Sequence, residues 1–306
     1  MIVVCGEALI DVVRNPDGTQ LATPGGGPFN TARALARLGV PTAFLGHLSD
    51  DTFGRALAGL LVADGASLEL ATIGSEKTTI AVADLDPDGV AEYQFLVEGT
   101  SAPNLTPDMV PAQLASDVAA LHIGTLGMVL EPIASTLTDL VRREHERRVV
   151  MLDPNVRLGM IPDDEYRARL LEVVGLSTIV KASEEDLSWL YPGASLQTAA
   201  RQLLDSGVRL VVVTLGPRGA FGAQREFHVT VDSAPVEVVD TIGAGDAFGA
   251  ALLAWLHDDD ALDTDLRLEP AALERALDYA CVAAAITCSR PGADPPWKGE
   301  MPAVRS

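Results

Sequence analysis

Positive charge and sulfur are both scarce in this chain. Its 306 residues carry 22 Lys and Arg against 43 Asp and Glu, a formal charge of −21. So acidic a surface repels a nucleic-acid backbone or an anionic membrane, and neither is expected as a partner. The three cysteines, Cys5, Cys281 and Cys288, are scattered and form no CxxC, so neither a disulfide framework nor a zinc site is indicated. Five histidines fall into no HExxH or other ligand spacing. No apolar run approaches the roughly 20 residues of a membrane helix. The apolar start "MIVVCGEALIDVV" holds Glu7 and Asp11 and no basic leader, so a soluble, untargeted, cytoplasmic protein is expected. There is no Walker loop, no internal repeat, no linker and no low-complexity tract.

What is present is apolar matter in a regular order. Apolar residues make up 48% of the chain, enough for a substantial core. Short β-branched runs ("IVVCG", "AALHIGTL", "RVVMLDPN", "STIVKAS", "RLVVVTLG") alternate with amphipathic stretches such as "NTARALARLG", "TFGRALAGLLVADG" and "LQTAARQLLDSG". That alternation predicts a parallel sheet covered by helices. Two segments break it. "EALIDVVRNPDGTQLATPG" and "TTIAVADLDPDGVAEYQFLVE" each read as strand, turn, strand, with turns Asn15-Pro16-Asp17-Gly18 and Asp86-Pro87-Asp88-Gly89. They form either one small second sheet over an edge of the α/β body or two ordinary surface hairpins.

Two glycine clusters sit where strand gives way to helix. In "DTIGAGDAF" the strand-like "FHVTVDSAPVEVVD" meets the helical "DAFGAALLAWLH", leaving Gly243, Ala244 and Gly245 at the junction. Amides there are the unpaired donors of a helix N-terminus, and glycine lets a ligand approach the backbone. Asp246 falls in the first turn, where the dipole favours a carboxylate able to accept a proton. Two other readings compete: an acid that only offsets the dipole, and a dinucleotide fingerprint. The glycines spell GxGxxxG rather than GxGxxG, and no βαβ unit follows. The second cluster, "TPGGGPFNTARALARLG", puts Asn30 near a helix start, with both a donor and an acceptor for hydroxyl recognition. Upstream, Asp11 interrupts an apolar strand and must meet either protein donors or ligand hydroxyls.

In combination, "GGGPFNTARALARLG" and "DTIGAGDAF" resemble the two signatures of the ribokinase-like (pfkB) carbohydrate kinases, in the family's order. The likeness continues through "CGEALIDVV", "DPNVR", "VKASEEDLSWLYPG", "VVVTLGPRGA" and "AAAITCSRPGADPP". The resemblance implies a single kinase domain over 1–306. Its fold would be a three-layer α/β/α body with a mainly parallel central sheet and a small β-sheet lid from about 10–24 and 76–100. It implies an ATP-dependent sugar kinase with ATP as co-substrate and Mg2+ beside it. Asp246 would be the base, and the Gly243, Ala244 and Gly245 amides the anion hole. Asp11, Gly26, Gly27 and Asn30 would hold sugar hydroxyls, with Arg157 near the sugar. Lys181, Thr214, Gly216 and Gly219 would line the nucleotide site, with Cys281 beside the adenine, where members often carry Asn.

Asp240 and the Ile242 carbonyl, with the loop from Arg290 to Asp294, resemble a monovalent cation site, for K+, found in some members. Where members commonly carry Asn-x-x-Glu, this chain has Ser183-Glu184-Glu185-Asp186, so Asp186 takes the Mg2+-linked position. The motifs resemble fructokinases most, then 2-keto-3-deoxygluconate kinases, then ribokinases or nucleoside kinases. A non-catalytic sugar or nucleotide sensor with the same fold is the alternative of another class. A homodimer through the lid is expected.

Overall fold

Alternating apolar runs and amphipathic stretches resolve into sheets of two kinds. The computed structural model describes residues 1–14, 17–85, 91–157 and 160–303. In chain order the strands are β1 (Ile2–Cys5), β2 (Leu9–Arg14), β3 (Gln20–Gly25), β4 (Thr42–Leu45), β5 (His47–Ser49), β6 (Thr72–Gly74) and β7 (Ile80–Leu85). There follow β8 (Ala91–Leu96), β9 (Ala120–Gly124), β10 (Val149–Asp153), β11 (Ile179–Ser183), β12 (Leu210–Thr214), β13 (Ala220–Ala223) and β14 (His228–Val231). The helices are α1 (Gly27–Arg37), α2 (Thr52–Asp64), α3 (Ile133–Glu144), α4 (Asp163–Gly175), α5 (Glu184–Leu190), α6 (Leu196–Asp205), α7 (Ala244–Asp258) and α8 (Pro270–Cys288).

Eight strands form the main sheet in the order β14-β13-β12-β11-β10-β9-β1-β4. From β4 to β12 the pairings are parallel, and β13 and β14 close the edge antiparallel. Strands this apolar suit a sheet covered on both faces. Val3, Leu121 and Leu152 pack with Leu137 of α3, Leu170 of α4 and Leu203 of α6. Val4, Met151 and Val212 pack on the other face with Phe29 of α1, Trp255 of α7 and Leu277 of α8. Each such side chain, fully buried, contributes about 1.5–3 kcal/mol. The result is the expected three-layer α/β/α body.

The two hairpins do form one separate four-stranded sheet, β3-β2-β7-β8. β2 joins them by pairing parallel with β7, Asp11 opposite Ala81, while each hairpin is internally antiparallel. Asn15, Pro16 and the Asp86 to Gly89 turn lie outside the described residues. A short β5–β6 pair, which sequence pattern did not signal, makes a third sheet.

One expected strand is shorter than its pattern suggests. "FHVTVDSAPVEVVD" is regular strand only from His228 to Val231, after which the chain runs irregularly to α7. Pro235 cannot donate to a ladder. The next amides, of Val239 and Asp240, instead donate to the Cys288 carbonyl at the end of α8, at 2.8 and 3.2 Å. Val238 and Val239 are left exposed.

Candidate active site

Parallel strands that end side by side leave a crevice at their carboxyl ends. Here it is a cavity of about 590 Å³. The ends of β10, β11 and β12, the starts of α1 and α7, and the inner face of the small sheet enclose it, through residues that include Asp153, Lys181, Thr214, Gly27, Gly245 and Ala83.

α7 begins at Gly243, whose φ of +76° favours glycine. A β-carbon there would also lie 2.5 Å from that of Ala293, so the turn is packed against the 290–294 loop. The Ala244 amide donates to the Thr241 carbonyl at 3.3 Å, closing the turn. The amides of Gly243, Gly245 and Asp246 have no partner among the described residues. The open donor group therefore differs by one from the expected trio: the turn takes up Ala244, and the first helical turn supplies Asp246 instead. With the positive end of the helix dipole behind them, these amides suit an anion.

Asp246 is buried, and Asn30 Nδ2 donates to its Oδ2 at 2.9 Å. Burial pushes its carboxyl up to about 7, against the pull of the Asn30 hydrogen bond; Asp153 adds to the rise, and Lys181 and Arg157 moderate it. The other oxygen, Oδ1, lies on the Gly27 side, 3.3 Å from where a β-carbon of Gly27 would be. Asn30 Oδ1 is buried with no partner. One contact thus fixes the acid and leaves two acceptors, Asp246 Oδ1 and Asn30 Oδ1, for hydroxyl donors. Asp11 faces the same space from β2, its carboxyl pushed up to about 6 by burial and pulled back by Arg157. Arg157 Nη1 donates to Asn155 Oδ1 at 2.7 Å.

Lys181 is buried, with its Nζ 2.7 Å from Asp153 Oδ2. A β-carbon on Gly245 would lie 3.1 Å from that Nζ, which puts the ammonium beside the open amides. Burial works against its charge, but Asp153, Asp246 and Asp186 together outweigh burial and hold the Lys181 pKa up, while burial pushes the Asp153 carboxyl up in turn. Asp153 Oδ1 is buried without a partner. Asp186 lines the cavity, yet both of its oxygens are taken. Val156 N donates to Oδ1, and Ser183 N and Oγ donate to Oδ2, each at 2.8 Å, in the capping box of α5. Asp at the third helical position closes that box as Glu would.

Of the residues singled out in the sequence, Asp11, Gly26, Gly27, Asn30, Arg157, Lys181, Asp186, Thr214, Ile242, Gly243, Gly245 and Asp246 meet at this cavity. Gly216 and Gly219 lie on the turn beyond Thr214, outside its lining, and Cys281 packs in the core from α8. Burial and Asp278 push the Cys281 thiol up to about 11. Asp240 accepts from the Ile242 amide at 3.0 Å and the Gly292 amide at 2.9 Å, tying the α7 turn to the 290–294 loop. Among the described residues, no group of three or more His, Cys, Asp or Glu is arranged to hold a metal. Sequence reasoning did not single out Glu7, Asp153 or Asn155, which also line the cavity. A usable signal existed: "DPN" places polar residues at the carboxyl end of a parallel strand.

The family model described as pfkB family carbohydrate kinase matches residues 1–299. A fructokinase of Rhizobium leguminosarum bv. trifolii is 41% identical over 269 residues, covering 86% of this chain and 81% of its own. Among solved structures, a fructokinase from Xylella fastidiosa with bound ATP superposes with a TM-score of 0.87 at 27% identity, over 98% of this chain and 94% of that one. A fructokinase from Vibrio cholerae O395, in a form with fructose, ADP and calcium bound, gives a TM-score of 0.83 at 28% identity, over 95% and 94%. No helix among the described residues is long and apolar enough to cross a membrane.

Proposed function

The chain belongs to the pfkB family of carbohydrate kinases, and from that premise we propose that it transfers the γ-phosphoryl group of ATP to a hydroxyl of an uncharged hexose, fructose foremost. One observation carries the reading. A buried carboxylate, Asp246, shares a cavity with open amides at the start of its own helix and with unpaired acceptors facing the sugar side. The related fructokinases bear on the substrate, one having been seen with ATP and another with fructose and ADP.

The reaction follows from this chain's own groups. Asp246 Oδ1 accepts the proton of the sugar hydroxyl, whose oxygen forms a bond to the γ-phosphorus as the bond from phosphorus to the bridging oxygen of ADP breaks. Asn30 keeps the carboxylate turned for that transfer and takes a second hydroxyl on Oδ1. Charge on the phosphoryl oxygens is met by the amides of Gly243, Gly245 and Asp246 and by Lys181, which Asp153 keeps protonated. Such preorganised donors are what a loose phosphoryl-transfer transition state requires. Asp11, Gly26 and Gly27 bound the sugar, with Arg157 near it. Thr214 opens the nucleotide side, and Gly216 and Gly219 continue it outward. The small sheet acts as a lid that excludes water.

A divalent cation bound with the nucleotide, Mg2+ in this reading, would neutralise phosphate charge. Asp153 Oδ1, buried and unpaired, fits a bound cation or its water, whereas Asp186 already accepts three hydrogen bonds and has less to offer one. Ile242 and Asp240, at the turn that meets the 290–294 loop, are where a monovalent cation would be held.

The charge of the cavity favours an uncharged acceptor. Glu7, Asp11, Asp153, Asp186 and Asp246 line it, against only Arg157 and Lys181. Lys181 is already paired and Arg157 stands among acids, so an acceptor bearing its own carboxylate or phosphate would find no free cation among the described residues there. It would be repelled by those acids that are ionised, burial raising the carboxyls of Glu7, Asp11, Asp153 and Asp246. The test is a sugar panel with ATP and Mg2+. Fructose should give phosphorylated product, whereas 2-keto-3-deoxygluconate and ribose should give at least ten times lower kcat/KM. Equal or better turnover of the acid sugar would reverse the assignment, and no product with any sugar would favour a sensor.

A further inference from the structure

Glu7 lies in the three-residue link between β1 of the main sheet and β2 of the small sheet. It is buried at 2% exposure, a place where a carboxylate persists only if its oxygens are partnered. The Thr125 hydroxyl donates to Oε1, and the Gly127 amide donates to Oε2 at 3.1 Å. Both donors lie on the turn that follows β9 (Thr125–Met128). Thr125 has φ +55°, a left-handed conformation that is a rare outlier for a β-branched residue and is kept only where its surroundings enforce it. Leu126, between the two contacts, is a wall of the cavity. It packs with Leu9 of β2 and Ala81 of β7, so the small sheet is seated on it. The Thr125 methyl covers Gly27, where an added β-carbon would lie 2.6 Å from it.

We propose that Glu7 is a positioning residue for the acceptor: its carboxylate clamps the strained Thr125–Gly127 turn and so places Leu126 as the wall between the sugar and the small sheet. The clamp acts on the sugar side: its partners among the described residues include Thr125, Gly127, Leu9, Ala81 and Gly27. The ionised or neutral state of Glu7 is immaterial to this role, since either form retains acceptors for two donors.

The proposal rests on the sugar-kinase reading, and the experiment separates the two. Glu7→Gln keeps the shape but turns an amide NH2 toward one of the two donors. It should raise KM for fructose about tenfold, the size of one lost buried contact, and leave KM for ATP within about twofold. Adding Thr125→Gly to Glu7→Gln should bring KM for fructose back to within about threefold of wild type, because glycine holds a positive φ unaided. Amide exchange reads the clamp without any substrate: Gly127 should be protected in wild type and exchange at least about ten times faster in Glu7→Gln. Unchanged KM for fructose, equal rises in both KM values, or absence of rescue by glycine would each overturn the proposal, as would a Gly127 amide indifferent to Glu7. A wild-type enzyme inactive on every sugar would sink the functional reading, and Gly127 exchange would still judge the clamp.

Discussion

Asp246 titrates near neutrality in the fold while its unfolded counterpart keeps the ordinary 3.8, and two consequences of opposite sign follow. In its proposed role as base it would work only when ionised, so kcat/KM for the sugar should climb with pH and level off above about 7. Asp246→Asn should abolish that limb and lower kcat by about 10²-fold or more, with nucleotide affinity kept. For stability the order reverses. Between the two pKa values the folded chain holds a proton that the unfolded chain has released. The stability this group contributes is therefore complete below about pH 4 and is lost as pH rises through about 7. Asp246→Asn, neutral throughout, should raise Tm at pH 8 by a few degrees, roughly 3–6 °C, and by far less at pH 4. Thermal scans at the two pH values check this; an Asn variant less stable than wild type at pH 8 would contradict the burial argument.

Elements bring these residues together, and the start of α7 is the least tolerant of them. Gly243→Ala must hold a positive φ and press its methyl against Ala293. The helix start should shift, and kcat should fall about 10²-fold, the loss usual when oxyanion donors are misplaced; steady-state kinetics with saturating ATP would show it. The 290–294 loop behind that turn is itself held from α1. Arg37 Nε contacts Asp64 of α2 at 2.9 Å, and its Nη1 contacts Asp294 at 2.6 Å and the Pro295 carbonyl at 2.7 Å. Arg33 pairs with the same Asp64 at 2.6 Å. Arg37 and Asp64 are nearly buried, so the truncation Arg37→Ala leaves Asp64 with one partner and Asp294 without its closest one. A loss of about 2–4 kcal/mol in urea unfolding is expected; a change under about 0.5 kcal/mol would place the network among surface pairs of no consequence.

At the scale of the whole molecule, the small sheet carries exposed edges. Its edge strands are β3 and β8, and Leu21 and Leu96 on them are 60% and 44% exposed. Unprotected edges with apolar side chains invite pairing, and we propose that the homodimer expected from the sequence would form through these edges. Light scattering should give twice the chain mass, and Leu21→Lys with Leu96→Lys should return a monomer. A monomer in the unaltered protein would exclude the pairing. Against an overall charge of −21, the interior amides, Lys181 and a cation would, in the proposed reaction, supply the local positive potential that anionic phosphates need.

Much of this was legible in the chain itself. Alternating period declared the α/β body, because buried parallel strands must be apolar throughout and their covering helices only on one face. Glycines beside Asn30 and Asp246 marked two helix starts, since few other residues allow so close an approach of backbone. Those are local facts. Long-range packing decided the rest. Whether the hairpins stood apart or formed one sheet depended on β2 meeting β7, some 70 residues away. That Asp246 is held by Asn30 across 216 positions, and titrates near 7, depends on burial that no local pattern encodes. Glu7 reads in sequence as one more acid in an apolar run. Only the fold gives it Thr125 and Gly127 as partners, because the donors that satisfy a buried carboxylate are chosen by tertiary contact and not by neighbours along the chain.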